Sequence, residues 1–409
     1  MFMMGLMVAG GTAVDAITAN LLPITARHFT DNVALIAFMV ALNRIFGFLV
    51  QPYAAWKSDR TRSAGGRRRP FFLWGWPATF VSVGLVGALP FIVPEELHRT
   101  ATAVFILFTA NLMMQACLDV CFGCSDPLYG DTFVRGDLGR AAGIRGISFN
   151  VVGLVMTGVA IPLADRHEFY PYVGCMFFVG LSWLIAKFII REQVPDDLPP
   201  QERYNPLKPL KELKDPQVAR VTIIASCVLV ILAVTEMLHA LFVTETLGLS
   251  KSVLGYSVTV ATIIVFVLSY PIGLLVDKVG PRPVLVGGFV FMLLVELLFV
   301  LWVHDLFSLS LNFTLYRIAW LFIFVPVTPM IFQDTALERR GSVFATVQMF
   351  RAAAAGLLTI VAGMIANSLG TYRACYAVAA VVCVIGLWVA LRLPKGVLRQ
   401  PVSASEGLD

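Results

Sequence analysis

Apolar runs dominate the chain, and short polar stretches punctuate them. A spanning helix needs about 20 predominantly apolar residues. On that measure the sequence predicts twelve spans, over 3–26, 32–56, 71–93, 101–124, 146–164, 169–190, 218–243, 252–276, 284–303, 307–332, 343–367 and 372–393. The runs do not alternate apolar and polar positions, as barrel strands of about 10 residues would. The first run starts at the first residue, without a basic flank or a small-residue cleavage site, and reads as a retained span.

The one long polar connection carries Pro195, Pro199, Pro200, Pro206, Pro209 and Pro216 among alternating charges. It divides the chain into an N-terminal six-span half over 1–191, a linker over 192–217, a C-terminal six-span half over 218–394 and a tail over 395–409. The halves echo each other. Pro52…Asp59-Arg60 after the second span answers Pro271…Asp277-Lys278 after the eighth. Asp131-Thr132 before the fifth span answers Asp334-Thr335 before the eleventh, and Gly153-Leu154 answers Gly356-Leu357. The fold class is therefore an all-α membrane protein of twelve helices in two six-helix pseudo-repeats, the build of carriers that rock two halves about a central site.

Composition agrees: 58% of residues are hydrophobic and 14% charged, against about 25% charged in soluble proteins. The net charge of +5 does not point to nucleic acid, because the cations gather in a few connections. With both termini inside, 22 Lys and Arg fall in inner connections, 5 in outer ones and 4 within spans, of 31 in all. The positive-inside rule then gives a multi-pass protein of the cell (inner) membrane with both termini cytoplasmic. Cys121 and Cys124 have metal-motif spacing but no second Cys or His pair, and read as soft packing residues. No metal, cofactor or enzymatic nucleophile motif is expected.

Charged and polar residues at bilayer depth usually face a partner or a wet cavity. In the fourth span Asn111, Gln115, Asp119, Phe122 and Asp126 fall on one helical stripe. The stripe fits the wall of a hydrophilic cavity or a helix–helix seam. Asp119 at its centre is the first candidate for binding a proton or a substrate hydroxyl, since desolvation favours the protonated carboxyl. Asp15 shares a face with Thr12 and Ala19 and suits either a second cavity carboxylate or an ion pair with Arg44. Arg44 in turn suits a neutralising partner or a bidentate donor to substrate.

The seventh span offers Glu236 and His239 at i, i+3, a gate or relay pair or polar residues near a helix end. The tenth offers Asn312, Tyr316 and Trp320 at i, i+4, i+8, which suits stacking on a pyranose face as well as packing. Glu296 and Arg317, in adjacent spans, are expected to form a structural ion pair, and Lys187 to snorkel. At the inner ends Asp59, Arg60, Asp277, Arg145 and Arg351 form the candidate gate. Asp59 and Asp277 could cap a helix N-terminus in another part of the fold.

Twelve spans with acidic–basic turns after spans two and eight resemble the major facilitator superfamily. Leu49-Val50-Gln51-Pro52…Ser58-Asp59-Arg60…Gly66-Arg67-Arg68-Arg69-Pro70-Phe71 is similar to the inner-loop signature of sucrose-type proton symporters, a branch of the glycoside–pentoside–hexuronide:cation symporters. Leu118-Asp119-Val120 is similar to the Leu-Asp-Val of that branch. Asp15, Asp119 and Arg44 resemble the sugar-site aspartates and arginine of melibiose-permease relatives. Those relatives bind Na⁺ through two second-span carboxylates, at positions held here by Gln51 and Gly47. The stretch Cys121-Phe122-Gly123-Cys124-Ser125-Asp126-Pro127 also departs from the sucrose-branch pattern. The resemblance implies a monomeric carrier in the lipid bilayer that moves a small solute, expected to be a sugar, together with a proton. An exporter of another small solute is the alternative.

Overall fold

The structure is a computed structural model and describes residues 2–61, 63, 65–132, 138–190, 192, 208–327, 330 and 340–393. Among these, twelve helices are long and apolar enough to cross a membrane. They are α1 Phe2–Asn20, α2 Val33–Asp59, α3 Arg69–Ile92, α4 Ala101–Thr132, α5 Leu138–Val155 with its continuation to Asp165, and α6 Tyr170–Phe188. The second set is α7 Pro216–Met237 with its continuation to Thr246, α8 Lys251–Val279, α9 Pro281–Leu301, α10 Leu306–Phe324, α11 Arg340–Leu369 and α12 Arg373–Leu391.

Where the boundaries differ from the sequence reading, local chemistry explains it. The first span is two helices, because Pro23 supplies no N–H and opens a new helix, Leu22–Arg27. α10 stops at Phe324, just before Pro326, rather than running to 332. Polar side chains set several starts. Asn32 accepts from Ala34 and Leu35 N–H, Asp215 from Gln217 N–H, and Asp305 and Ser308 form a capping box. The expected linker lies largely outside the described residues, and so does the tail.

The packing repeats between the halves. α1 packs on α5 and α6, α2 on α4, and α3 on α4 and α6. In the same relation α7 packs on α11 and α12, α8 on α10, and α9 on α10 and α12. Adding six to each label of the first set gives the second, so the internal duplication seen in sequence is a duplication of contacts. The halves meet mainly through α2 on α11 and α5 on α8, pairs that the same operation exchanges.

Lipid gives helices no hydrophobic reason to associate, so close approach depends on small residues. A Cβ on Gly363 would lie 2.1 Å from the Ala37 side chain at the α2–α11 contact. One on Gly255 would lie 2.5 Å from the Thr157 carbonyl at the α5–α8 contact.

Candidate functional site

A cavity of about 140 Å³ opens where α1 and α2 face α7 and α11. Asp15, Thr18 and Ala19 of α1, Val40 and Ala41 of α2, Leu232, Ala233, Glu236 and Met237 of α7, and Thr359 of α11 line it. Asp15 is among its exposed groups, and of the expected face Asp15 and Ala19 are on the lining while Thr12 is not. α7 loses helical geometry at Leu238 (φ −112°, ψ 10°) and resumes with His239–Leu241 and a π turn, Phe242–Thr246. That break lies two residues after Glu236. Interrupted helices and π turns are recurrent ways of aiming functional side chains in membrane carriers.

Glu236 does not stand alone. Arg317 of α10 reaches it at 2.7 Å, and the guanidinium also lies over the Phe313 ring, 5.3 Å from its centroid. The expected partner of Arg317 was Glu296, and the structure corrects this. Glu296 is fully buried on α9 and accepts a hydrogen bond from Thr235 at 2.7 Å. The reason is angular: consecutive residues of α7 point about 100° apart, so Thr235 turns to α9 while Glu236 turns to the cavity and Arg317. His239 is buried away from the cavity, bonded to the Tyr376 hydroxyl at 3.0 Å and stacked on Phe313. It does not pair with Glu236.

The α4 stripe faces α1 and α2. Asn111 donates to the Met39 carbonyl at 2.8 Å, Gln115 to the Thr18 hydroxyl at 2.9 Å, and Asp119 accepts from Gln51 at 2.6 Å. Gln115 therefore touches a cavity-lining residue, while Asp119 sits one layer behind, in the α2–α4 seam. Gln51, which stands where the resembled family has a Na⁺ ligand, is a donor to that carboxylate. The Arg44 and Asp126 side chains lie outside the described residues.

On α10, Asn312 donates to the Val295 carbonyl at 3.2 Å, Tyr316 is fully buried beside Phe299 and Phe313, and Trp320 stacks on Phe324. The structure does not bring this stripe into the cavity lining. Thr359 was missed in the sequence. Its hydroxyl is buried at the cavity wall with no hydrogen-bond partner among the described residues, and a lone Thr in an apolar helix gives no periodic signal.

At the end that the charge bias assigns to the outside, the halves are tied together. Arg27 bonds Glu245 at 2.9 Å, and the Tyr372 hydroxyl donates to the same carboxylate at 2.6 Å. Glu168 bridges His28, at 2.8 Å, and Lys251. Asp165 caps the start of α8 through Lys251 and Ser252 N–H, at 3.0 and 2.8 Å. Asn367 accepts from Val33 N–H at 3.1 Å.

The opposite end carries the basic turn. Asp59 pairs with Arg68 at 2.5 Å within its own connection, not with a distant helix. The N-terminus of α3 is capped instead by Glu192, which accepts from Arg68 and Arg69 N–H at 2.8 and 3.2 Å. Gly66, with φ +107°, makes the turn beside it, where any side chain would meet Glu192. Arg60 covers Trp56 and Arg145 covers Phe149. Arg351 is half-buried on α11, and the Asp277 side chain lies outside the described residues.

The sequence profile of the Major Facilitator Superfamily matches residues 1–243 and again 233–407. The chain belongs to the Major Facilitator Superfamily. No curated protein matches the sequence. Among solved structures, a mutant of the nucleoside transporter NupG superposes with a TM-score of 0.73 at 13% identity, covering 96% of this chain and 99% of that one. A bacterial homologue of the human lysosomal transporter Spinster, inward-facing and unoccupied, gives 0.71 at 13% identity, covering 95% of each chain. The human organic anion transporter MFSD10 gives 0.65 at 14%, covering 95% and 97%. At such identities the likeness is one of fold. A superfamily member of this build is a transporter, not an enzyme.

Proposed function

We propose that this superfamily member is a secondary active transporter that couples proton movement to symport of a sugar or glycoside by alternating access. It would work as a monomer in the cell membrane with both termini cytoplasmic. The observation that carries the reading is the cavity between the halves, with a carboxylate from each, Asp15 and Glu236, on its lining. Carboxylates and the Thr18 and Thr359 hydroxyls are hydrogen-bond partners suited to a polyhydroxyl solute. Asp119, one layer behind, is the expected proton carrier of the N-terminal half. The ties between Arg27 and Glu245 and between Glu168 and Lys251 support a state closed on the outside and accessible from within. The sugar class rests on the resemblance of the 49–71 and 118–120 segments to sucrose-type symporters.

The test is uptake of a labelled sugar panel into proteoliposomes with and without an inward proton gradient. The gradient should drive accumulation in the wild type, and Asp119→Asn should abolish the drive while sparing exchange of solute across the membrane. Uptake of every sugar indifferent to the gradient would overturn the proton-coupled sugar reading. A second reading, export of another small solute, draws on the apolar share of the wall (Val40, Ala41, Leu232, Ala233, Met237). Efflux of amphipathic solutes against their gradient, with no sugar uptake, would favour it.

A further inference from the structure

Behind the cavity, the C-terminal half holds a second set of polar side chains sealed from solvent. Glu296 of α9 is fully buried, five residues from the end of its helix. Its Oε1 accepts from Thr235, and its Oε2 has no hydrogen-bond partner among the described residues. Asn312, which donates to the carbonyl of the adjacent Val295, has a buried Oδ1 in the same condition. So does the fully buried Tyr316 hydroxyl.

The titratable and charged groups around Glu296 come from three helices. Among the described residues, Tyr316 on α10 and Cys375, Tyr376 and Cys383 on α12 lie nearest it, with Glu236 on α7 and Arg317 on α10 beyond Tyr316, His239 on α7 beyond Arg317, and Arg373 on α12 beyond Tyr376. Of the cations, Arg317 is engaged by Glu236 at 2.7 Å, and Arg373 is engaged by the Phe299, Val300 and Val303 carbonyls at the helix end.

We propose that Glu296 is a proton-binding group of this carrier, loaded and unloaded from the Glu236 side of the central cavity. The inference rests on the proton-coupled reading above. An ionised carboxylate held in an apolar interior with one hydroxyl donor and no cation is strongly disfavoured. Glu296 therefore occupies this site as the acid, with its proton on Oε2. Thr235, which donates to Glu296, and Glu236, which lines the cavity, are consecutive, so the site and the cavity share one turn of α7. The break at Leu238 directly follows that turn. Rocking of the halves changes the wetting of Glu236, and with it the route by which Glu296 can lose its proton. This gives the C-terminal half a proton site to set beside Asp119 of the N-terminal half. Neither composition nor spacing marked it as one.

Infrared difference spectroscopy of the full-length protein in lipid tests this without any solute. The carboxylic-acid C=O band lost in Glu296→Gln identifies the group. In wild type that band should disappear reversibly between about pH 5 and about pH 9, the range over which buried carboxyls titrate. A band that is absent, or that persists unchanged across the range, overturns the proposal, since Glu296 is then a fixed group.

In proteoliposomes Glu296→Gln should keep solute exchange and lose proton-driven accumulation. Accumulation equal to wild type overturns the proposal while leaving the transport reading intact. A titrating band in a wild type that accumulates no sugar overturns the sugar-symport reading while leaving the proton site standing. If Glu296→Gln does not fold, Glu296→Asp serves instead. It keeps the acid and should displace the band and its titration, and an unmoved band overturns the assignment.

Discussion

Glu236 and Arg317 form an ion pair at 2.7 Å between α7 and α10, with each side chain about one-fifth exposed. The pair closes one wall of the cavity and fixes the last turn of α7 before its break. Removing one member of a buried pair strands the other, at a cost of about 3 kcal/mol. Glu236→Gln or Arg317→Met alone should lower the melting temperature in detergent by several degrees, and the double substitution should recover most of the loss. Equal losses that simply add in the double variant would show that the pair is not a coupled unit.

How much of this was legible in the sequence depends on the range of the interaction. The twelve helices follow from local hydropathy, and the duplicated turns announced the repeated packing. Asp15 and Glu236 were legible as residues that need a partner or a wet surface, because a charge inside an apolar run needs a reason. The sequence left open whether Asp15 pairs with Arg44, and gave Glu236 as a gate or relay residue beside His239. The partner of Arg317 was not legible. Thr235, Glu236 and Glu296 are separated by helix rotation and by some 60 positions, and adjacency of spans does not say which carboxylate turns toward the guanidinium. Asn312, Tyr316 and Trp320 show the same limit, since a polar and aromatic stripe looks alike whether it meets a cavity or another helix of its own half.

Glu192 is the case of a functional cap hidden by sequence distance. Its carboxylate accepts from the N–H groups at the start of α3 and lies 3.7 Å from the Arg67 guanidinium. Replacing a capping oxygen typically costs about 1 kcal/mol. Glu192→Ala should cost that or slightly more, because Arg67 and Arg68 are themselves largely buried. Asp59→Asn should also destabilise, by loosening Arg68. Scanning calorimetry or a dye-based melt measures both. A melting temperature unchanged in Glu192→Ala would remove the cap from the stability of this half.

Gly363 sits where α2 and α11 touch, and a Cβ there would overlap the Ala37 side chain. Gly363→Val should keep each half folded but hold the outer ends apart. The expected outcome is loss of transport, with a longer distance between spin labels at Glu96 and Ser368, exposed positions near the outer ends of α3 and α11. Wild-type distances and rates would mean that the helices slide past the added methyl groups.

Closure of the outer end should depend on pH only at acid values. His28 beside Glu168, and Lys251 on its other oxygen, outweigh the opposing effect of partial burial and hold this carboxyl down from the ordinary 4.5 to about 2. A carboxylate whose pKa is depressed in the closed state favours closure fully above the open-state value. Only Lys251 belongs to the other half, so the part of the depression that it supplies is the part linked to closure, and it is lost within the range between about 4.5 and about 2 as pH falls. The Glu96–Ser368 spin-label distance in wild type should therefore be constant from about pH 8 to about pH 5 and lengthen below about pH 4.5. Glu168→Gln keeps the shape but not the charge, so it should show the longer distance in a larger fraction of molecules at every pH, with the acid step removed. Lys251→Ala should weaken closure at neutral pH and remove most of the acid step, because His28 lies in the same half as Glu168 and does not cross to the other. An acid step of wild-type size in Glu168→Gln would assign the pH response to another group.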